Sequence, residues 1–294
     1  MKKLVILALG LFTALHITAQ EENKQKKNYL PQQGDWAVGI DVTPIFKYIG
    51  NAFNGNTDNE LESLGGTPFT KNYRKFYLTP DVSIAGKYML TDEWALRANI
   101  GFMIRSEYNR RYVQDDRAVA LDPFSEDKVI DKVHTTANGV SLSLGSEYRR
   151  GNRRVQGVFG MGVLFAYQKH TRSFDWGNEM TSINQQPSVA FNEGQYYYMG
   201  YRMLKDYSNG SDFYTGITGS VGIEWFVGPK ISLGAEVNLV AYYLWGSQTY
   251  KETEGYNTST QKVERKTDLL SPGDRGFYCG TESLGGSLNM TFYF

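Results

Sequence analysis

The sequence predicts an all-β protein: a transmembrane antiparallel up-and-down β-barrel of about eight strands with long extracellular loops. Three observations predict it. In the last stretch, SLGGSLNMTFYF, residues Leu284, Leu288, Met290, Phe292 and Phe294 fall on one parity, with Ser287, Asn289, Thr291 and Tyr293 on the other. A period of two is a strand with one apolar and one polar face. From Asp35 onward the same period recurs, and no long stretch carries helical spacing. Aromatic residues gather at both ends of these runs and bound an aliphatic band, as a bilayer with two interfaces selects.

The bulk figures fit this class. Lys+Arg and Asp+Glu are 31 each in 294 residues, so the net charge is +0 and no nucleic-acid partner is implied. A mean hydropathy of -0.44 suits a soluble protein. In a barrel, however, lipid-facing and lumen-facing residues alternate and cancel in the average. The single cysteine, Cys279, has no CxxC partner and no nearby His, so no metal or thiol chemistry attaches to it and it is expected at a strand edge. No cofactor is implied.

Residues 1–20 read as a signal peptide: Lys2 and Lys3, an apolar run from Leu4 to Leu15, then Ile17-Thr18-Ala19. Residues 21–34 are charged and read as a flexible periplasmic lead-in. Residues 35–294 are the barrel. Strand one spans Asp35 to Tyr48, with Trp36, Val38, Ile40, Val42 and Phe46 on one face; strand two runs from Lys75 to Leu90. The tight turn Thr91-Asp92-Glu93 leads to strand three, where Trp94, Leu96, Ala98, Ile100, Phe102 and Ile104 align. Strand four is Ala137 to Arg150, and Gly151-Asn152 reads as a two-residue hairpin turn. Strand five carries Val155 to Tyr167 and strand six Phe213 to Val227. Gly228-Pro229-Lys230 turns the chain into strand seven, Ile231 to Trp245. The final run supplies the eighth. These three turns are short, whereas Ile49–Arg74, Asn109–Thr136, Lys169–Asp212 and Gly246–Glu282 read as long polar loops. Short turns belong to the periplasmic side and long loops to the outside, so both termini are expected in the periplasm.

Trp36, Tyr88, Trp94, Tyr148, Trp225 and Phe292 form one aromatic row; Phe46, Tyr48, Phe76, Tyr108, Tyr167, Phe213 and Trp245 form the other. The opposite parity gives an interior charge network: Asp41, Asp81, Lys87, Arg97, Arg105, Glu107, Glu147, Arg149, Glu224 and Glu236. A lumen of this size holds only side chains, and charges of both signs there must pair.

The terminal TFYF and the architecture of residues 35–294 resemble the small eight-stranded outer-membrane barrels of the OmpA/OmpX type. The opening GDWAVGIDVTPIFKYIGN is similar to β-barrel proteins of Bacteroidetes outer membranes. This resemblance implies the outer membrane of a Gram-negative bacterium and no particular activity.

Enzymatic barrels need a rim histidine with a Ser or carboxylate partner. His134 and His170 are the two outside the signal, and each reads as a solvated loop residue; no enzyme is expected. The third loop offers a binding set, Trp176, Tyr196, Tyr197, Tyr198, Tyr201 and Arg202, because aromatics with polar handles favour protein or glycan recognition. The alternative is that these aromatics pack on neighbouring loops. The expected role is surface recognition, or an accessory subunit of a larger outer-membrane complex. A small porin or carrier for hydrophobic molecules and a lipid A-modifying enzyme are the alternatives. Expected partners are outer-membrane lipid or lipopolysaccharide, other outer-membrane proteins, and extracellular glycan or protein.

Overall fold

The computed structural model describes residues 29–42, 84–191, 197–198 and 201–294. Its strands are β1 (Trp36–Asp41), β2 (Ile84–Met89), β3 (Trp94–Gln114), β4 (Lys128–Asn152), β5 (Val155–Asp175), β6 (Tyr197–Tyr198), β7 (Tyr201–Tyr207), β8 (Ser211–Gly228), β9 (Ile231–Gly246), β10 (Thr249–Asn257), β11 (Lys262–Ser271) and β12 (Arg275–Tyr293). Eight of them, β1, β2, β3, β4, β5, β8, β9 and β12, pair in that order, and β12 returns to β1 to close the wall. Closure leaves no unpaired edge in the lipid, where an unmet backbone N–H or C=O costs several kcal/mol.

The stagger can be counted. Partners followed once round from Trp36 pass through Tyr88, Leu96, Ser146, Met161, Gly219 and Leu239 to Leu284. Trp36 itself meets Phe294, whose N–H donates to its carbonyl, so the circuit climbs ten residues (294 − 284). Eight strands with that stagger tilt by about 40°, which leaves a lumen the width of side chains.

Alternation sorts the side chains. Trp36, Phe102, Ile104, Ile217 and Val221 are 64%, 63%, 79%, 64% and 57% exposed, so the even parity of β1 and β3 and the odd parity of β8 face outward. Trp36 packs on Tyr88 at 4.6 Å and Trp94 on Tyr148 at 5.0 Å at the short-turn end. Phe213 meets Trp245 at 5.8 Å at the other end. Phe46, Tyr48 and Phe76 lie outside the described residues.

The turns hold one correction. The register pairs Asn152 with Val155, so the loop is Arg153-Arg154 rather than Gly151-Asn152, and Arg153 takes the positive φ of 55°. This register places the ring of Tyr148 opposite Phe159 and sets inward Gly145 against Gly162. Pro229-Lys230 follows turn chemistry directly: Pro sets the first φ, and Lys230 accepts φ 56°.

The larger difference lies above the lipid band. Asn109–Thr136 and Gly246–Glu282, expected as loops, are largely strand, and Lys169–Asp212, also expected as a loop, holds the end of β5, all of β6 and β7 and the start of β8. β3, β4 and β5 continue straight upward, while β7, β10 and β11 stand above β8, β9 and β12 as their continuations, separated by bends at 208–210, 247–248 and 272–274. His170 N donates to Gly210 O, Ser247 N to Ser211 O and Gly246 N to Asp274 O across these bends. The upper tier runs β3-β4-β5-β7-β10-β11. β4 has 25 residues, about 80 Å of chain at roughly 3.3 Å each, against an apolar band about 25 Å tall. One short helix, α1 (Asp116–Leu121), joins β3 to β4; the Asp115 carboxylate caps it by accepting from Arg117 N and Ala118 N. Ile49–Arg74 lies outside the described residues.

A second difference concerns the lead-in. Tyr29 to Gly34, expected to be flexible, folds across the short-turn end. Gly34 N donates to Met89 O, Gln33 N to Asp92 Oδ1, and Lys230 N to Tyr29 O, while Lys230 Nζ bridges Asp35 at 3.1 Å. The Arg154 guanidinium lies 3.7 Å over the Tyr29 ring. Tyr29 and Leu30 thereby cover a core of Ala37, Met89, Ala95, Phe226 and Tyr293.

Candidate functional site

Above that base the inward parity of five strands converges on one charge cluster. β2 supplies Lys87, β3 Arg97, β4 Glu147 and Arg149, β8 Glu224 and β9 Glu236. Three cations face three carboxylates. Glu147, fully buried, is the hub, with Lys87 at 2.8 Å, Arg149 at 3.0 Å and Arg97 at 3.5 Å. Arg97 also holds Glu236 at 2.7 Å, and Arg149 holds Glu224 at 3.1 Å. Two neutral hydroxyls complete it: Tyr293 donates to Glu224 at 2.8 Å and accepts from Arg149 at 2.6 Å, and Ser232 donates to Glu224. Sequence reasoning missed both. Tyr293 has the inward parity, yet a Tyr beside a chain-terminal Phe reads first as an interface aromatic.

The expected lumen residues thus separate into groups. Lys87, Arg97, Glu147, Arg149, Glu224 and Glu236 meet. Arg105 and Glu107 pair with each other at 2.8 Å in the tier, where their side chains are 59% and 43% exposed. The Asp41 side chain and all of Asp81 lie outside the described residues. A second closure sits higher: Ala166, Tyr214, Val240 and Tyr242 pack with Leu164 and Leu244, and Tyr242 stacks on Tyr278 at 4.9 Å.

The tier has its own core. Val133, Phe174, Phe191 and Met203 are buried together, with Trp176 packed against them. Trp176 Nε1 donates to Met203 O at 2.8 Å. Arg202, 3% exposed, bridges Glu254 at 2.7 Å, donates to Asn178 O, and lies 5.7 Å from the Trp176 ring. Trp176 and Arg202, expected on a binding surface, therefore act as packing groups: a buried guanidinium with a carboxylate and a carbonyl has its donors committed inward. The Tyr201 ring occupies the space a Cβ on Gly255 would need. Tyr196 and the side chains of Tyr197 and Tyr198 lie outside the described residues.

The segment from Trp176 to Phe191 is clamped to this core. Buried Asp131 accepts from Gly177 N and Ala190 N, both at 2.8 Å. Asn178 accepts from Asp116 N and donates to Gln114 O and Ser188 O. Partial burial works against ionising Asp116, but hydrogen bonds from Ser188 and Asn184 hold its carboxyl below the ordinary range. At Lys205 the hydrogen bond to the Tyr250 hydroxyl, at 2.7 Å, raises the ammonium's pKa.

Both histidines have partners. His134 stacks on Tyr108 at 4.0 Å and its Nε2 lies 2.9 Å from Ser106 Oγ. Among the described residues no carboxylate meets its other nitrogen, and the strand N–H groups around it are spent in the ladder, so no oxyanion hole accompanies this Ser–His pair. His170 Nδ1 meets the Asn209 amide at 3.0 Å, and burial, with Arg172 adding, depresses its pKa. Cys279 is exposed on β12 beside Ala241, where the register shifts.

A closed eight-stranded barrel with an apolar outer belt and a charged interior is the geometry of an outer-membrane protein. The model of the putative OmpA-OmpF-like porin family matches residues 70–271, more than half of the chain. The chain belongs to that family. Two solved structures are similar to this porin-family barrel. The outer membrane protein OprG from Pseudomonas aeruginosa is 11% identical over 91% of this chain and 99% of its own, with a TM-score of 0.32. Ail, the attachment invasion locus protein of Yersinia pestis, is 10% identical over 89% and 98%, with a TM-score of 0.30. No curated protein matches the chain.

Proposed function

We propose that this porin-family barrel conducts nothing and serves as a non-enzymatic display scaffold: a surface-recognition protein, or an accessory subunit docked to a larger outer-membrane complex. One observation carries the reading. Near the short-turn end the Glu147-centred cluster closes the interior, with Tyr29 and Leu30 covering the base beneath it; a cavity of about 1080 Å³ lined by Lys87, Arg97, Gly145, Gly162 and Thr218 lies against the cluster, and the wall continues far above the belt as hydrogen-bonded sheet. The short turns then belong to the periplasm and the tall tier to the outside, as outer-membrane barrels are built. α1, the turn after it and the Trp176–Phe191 segment crown it with Leu121, Phe124 and Ile183, which are 84%, 90% and 95% exposed.

The family's description favours a second reading, a porin. Conduction requires the cluster to part, and each separated buried ion would cost several kcal/mol. In planar bilayers the purified protein is expected to give no discrete conductance; steady unitary steps would establish the porin instead. In intact cells, a Phe124→Cys probe in a Cys279→Ser background is expected to react with a membrane-impermeant maleimide. Absence of labelling would reverse the orientation.

A further inference from the structure

Immediately above the lipid belt, the outer face of β3, β4 and β5 changes character. Apolar Ile104, Val140 and Tyr167 end the belt, and the outward rows that follow bring Lys169, Arg110 and Lys132. Arg110 and Lys132 are direct cross-strand partners, a like-charge pair that repels at this spacing. Lys132 in turn faces Asp175 and bridges it at 3.0 Å, with side chains 42% and 71% exposed, a contact worth little in water. Arg110 is exposed and has no carboxylate within ion-pair distance among the described residues. Between these cations and the belt stands the Tyr108–His134 stack, its rings 4.0 Å apart on the same outer face. Arg110 is six residues above Ile104 along β3, about 15 Å above the belt at this tilt.

We infer that this patch holds the phosphorylated sugar headgroup of an outer-leaflet glycolipid of the lipopolysaccharide class. Two opposed cations on neighbouring strands gain from an anion placed between them, and Lys169, six residues lower along β5 than Asp175 and with its Nζ 5.8 Å from the Tyr207 ring, is placed for a second phosphate nearer the belt. The stacked rings offer a flat surface for a sugar ring, and the belt below receives the acyl chains of the same molecule. Continuity with the lipid face selects a membrane lipid over a soluble anion. The inference rests on the outward orientation of the tier proposed above.

The test uses the full chain in phosphatidylcholine nanodiscs doped with diphosphoryl lipid A or its dephosphorylated form, with bound lipid counted by native mass spectrometry. The wild type is expected to retain the diphosphoryl form preferentially. Arg110→Gln, Lys132→Gln and Lys169→Gln together should weaken retention roughly a hundredfold, at about a factor of five per cation. The charge-keeping set Arg110→Lys, Lys132→Arg and Lys169→Arg should retain it. Unchanged retention in the glutamine variant overturns the proposal. So does equal loss in the charge-keeping variant, or capture of inorganic phosphate as firmly as the lipid. Phe124→Cys labelling reports orientation separately: labelled cells without lipid retention remove only this inference, and unlabelled cells remove the reading beneath it.

Discussion

Glu147→Ala is expected to lower the unfolding free energy of the barrel by about 3–5 kcal/mol, the usual cost of removing one partner from a buried ion pair. Glu147 is fully buried and meets Lys87, Arg97 and Arg149 within 3.5 Å. Its loss leaves three cations facing two carboxylates in a lumen that closes against water at its base. Glu236→Ala should cost less. Its partner Arg97 keeps Glu147 at 3.5 Å, and the Arg97 side chain is 15% exposed, so some of its charge is solvated. Urea titration in lipid vesicles, followed by tryptophan emission, ranks the two. Equal or reversed costs would mean that Glu147 is not the hub.

The second large effect lies on the outside. Ile217→Arg places a charge on the outward row of β8 between the two aromatic rows, four residues from Phe213 and eight from Trp225, and is expected to cost about 2–4 kcal/mol. Leu269→Arg makes the same chemical change at a residue 66% exposed on β11, above the belt, and should stay within about 0.5 kcal/mol. The two positions are alike in exposure and differ in solvent. A soluble sheet would tolerate both.

What the sequence disclosed follows the same division of solvents. Within the lipid, one face meets hydrocarbon and the other the lumen, so Trp94, Leu96, Ala98 and Ile100 alternate cleanly with Ala95, Arg97 and Asn99. Above the lipid, water bathes the outer face and polar groups fill much of the inner one. Asn109 to Gln114, NRRYVQ, therefore shows no period of two and reads as loop, although it is strand throughout. The pairing that makes it a strand comes from Lys128 to Val133 across the hairpin, information that no local window holds. The lumen charges were legible by parity, yet parity gives no height. Arg105 and Glu107 share the parity of Arg97 but stand in the tier, away from the cluster. Trp176 and Arg202 read as a surface in the sequence because loop location implies exposure; the stacking of Phe174 on Trp176 at 5.7 Å inside the tier reverses that expectation. Tyr29 and Leu30 carry no periodic signal at all. Their place is fixed by Lys230 and Arg154, far away in the chain.

The most direct test of the whole account is site-by-site spin labelling of β8 from Ile217 to Val221 in lipid bilayers. Collision rates are read with oxygen, which partitions into lipid, and with a charged nickel complex, which stays in water. Labels at Ile217, Gly219 and Val221 should collide with oxygen, and labels at Thr218 and Ser220 with neither reagent, reporting a lipid face and an interior closed to both reagents in strict alternation. Collision with the nickel complex at all five positions, or oxygen contact at the even-numbered ones, would contradict it.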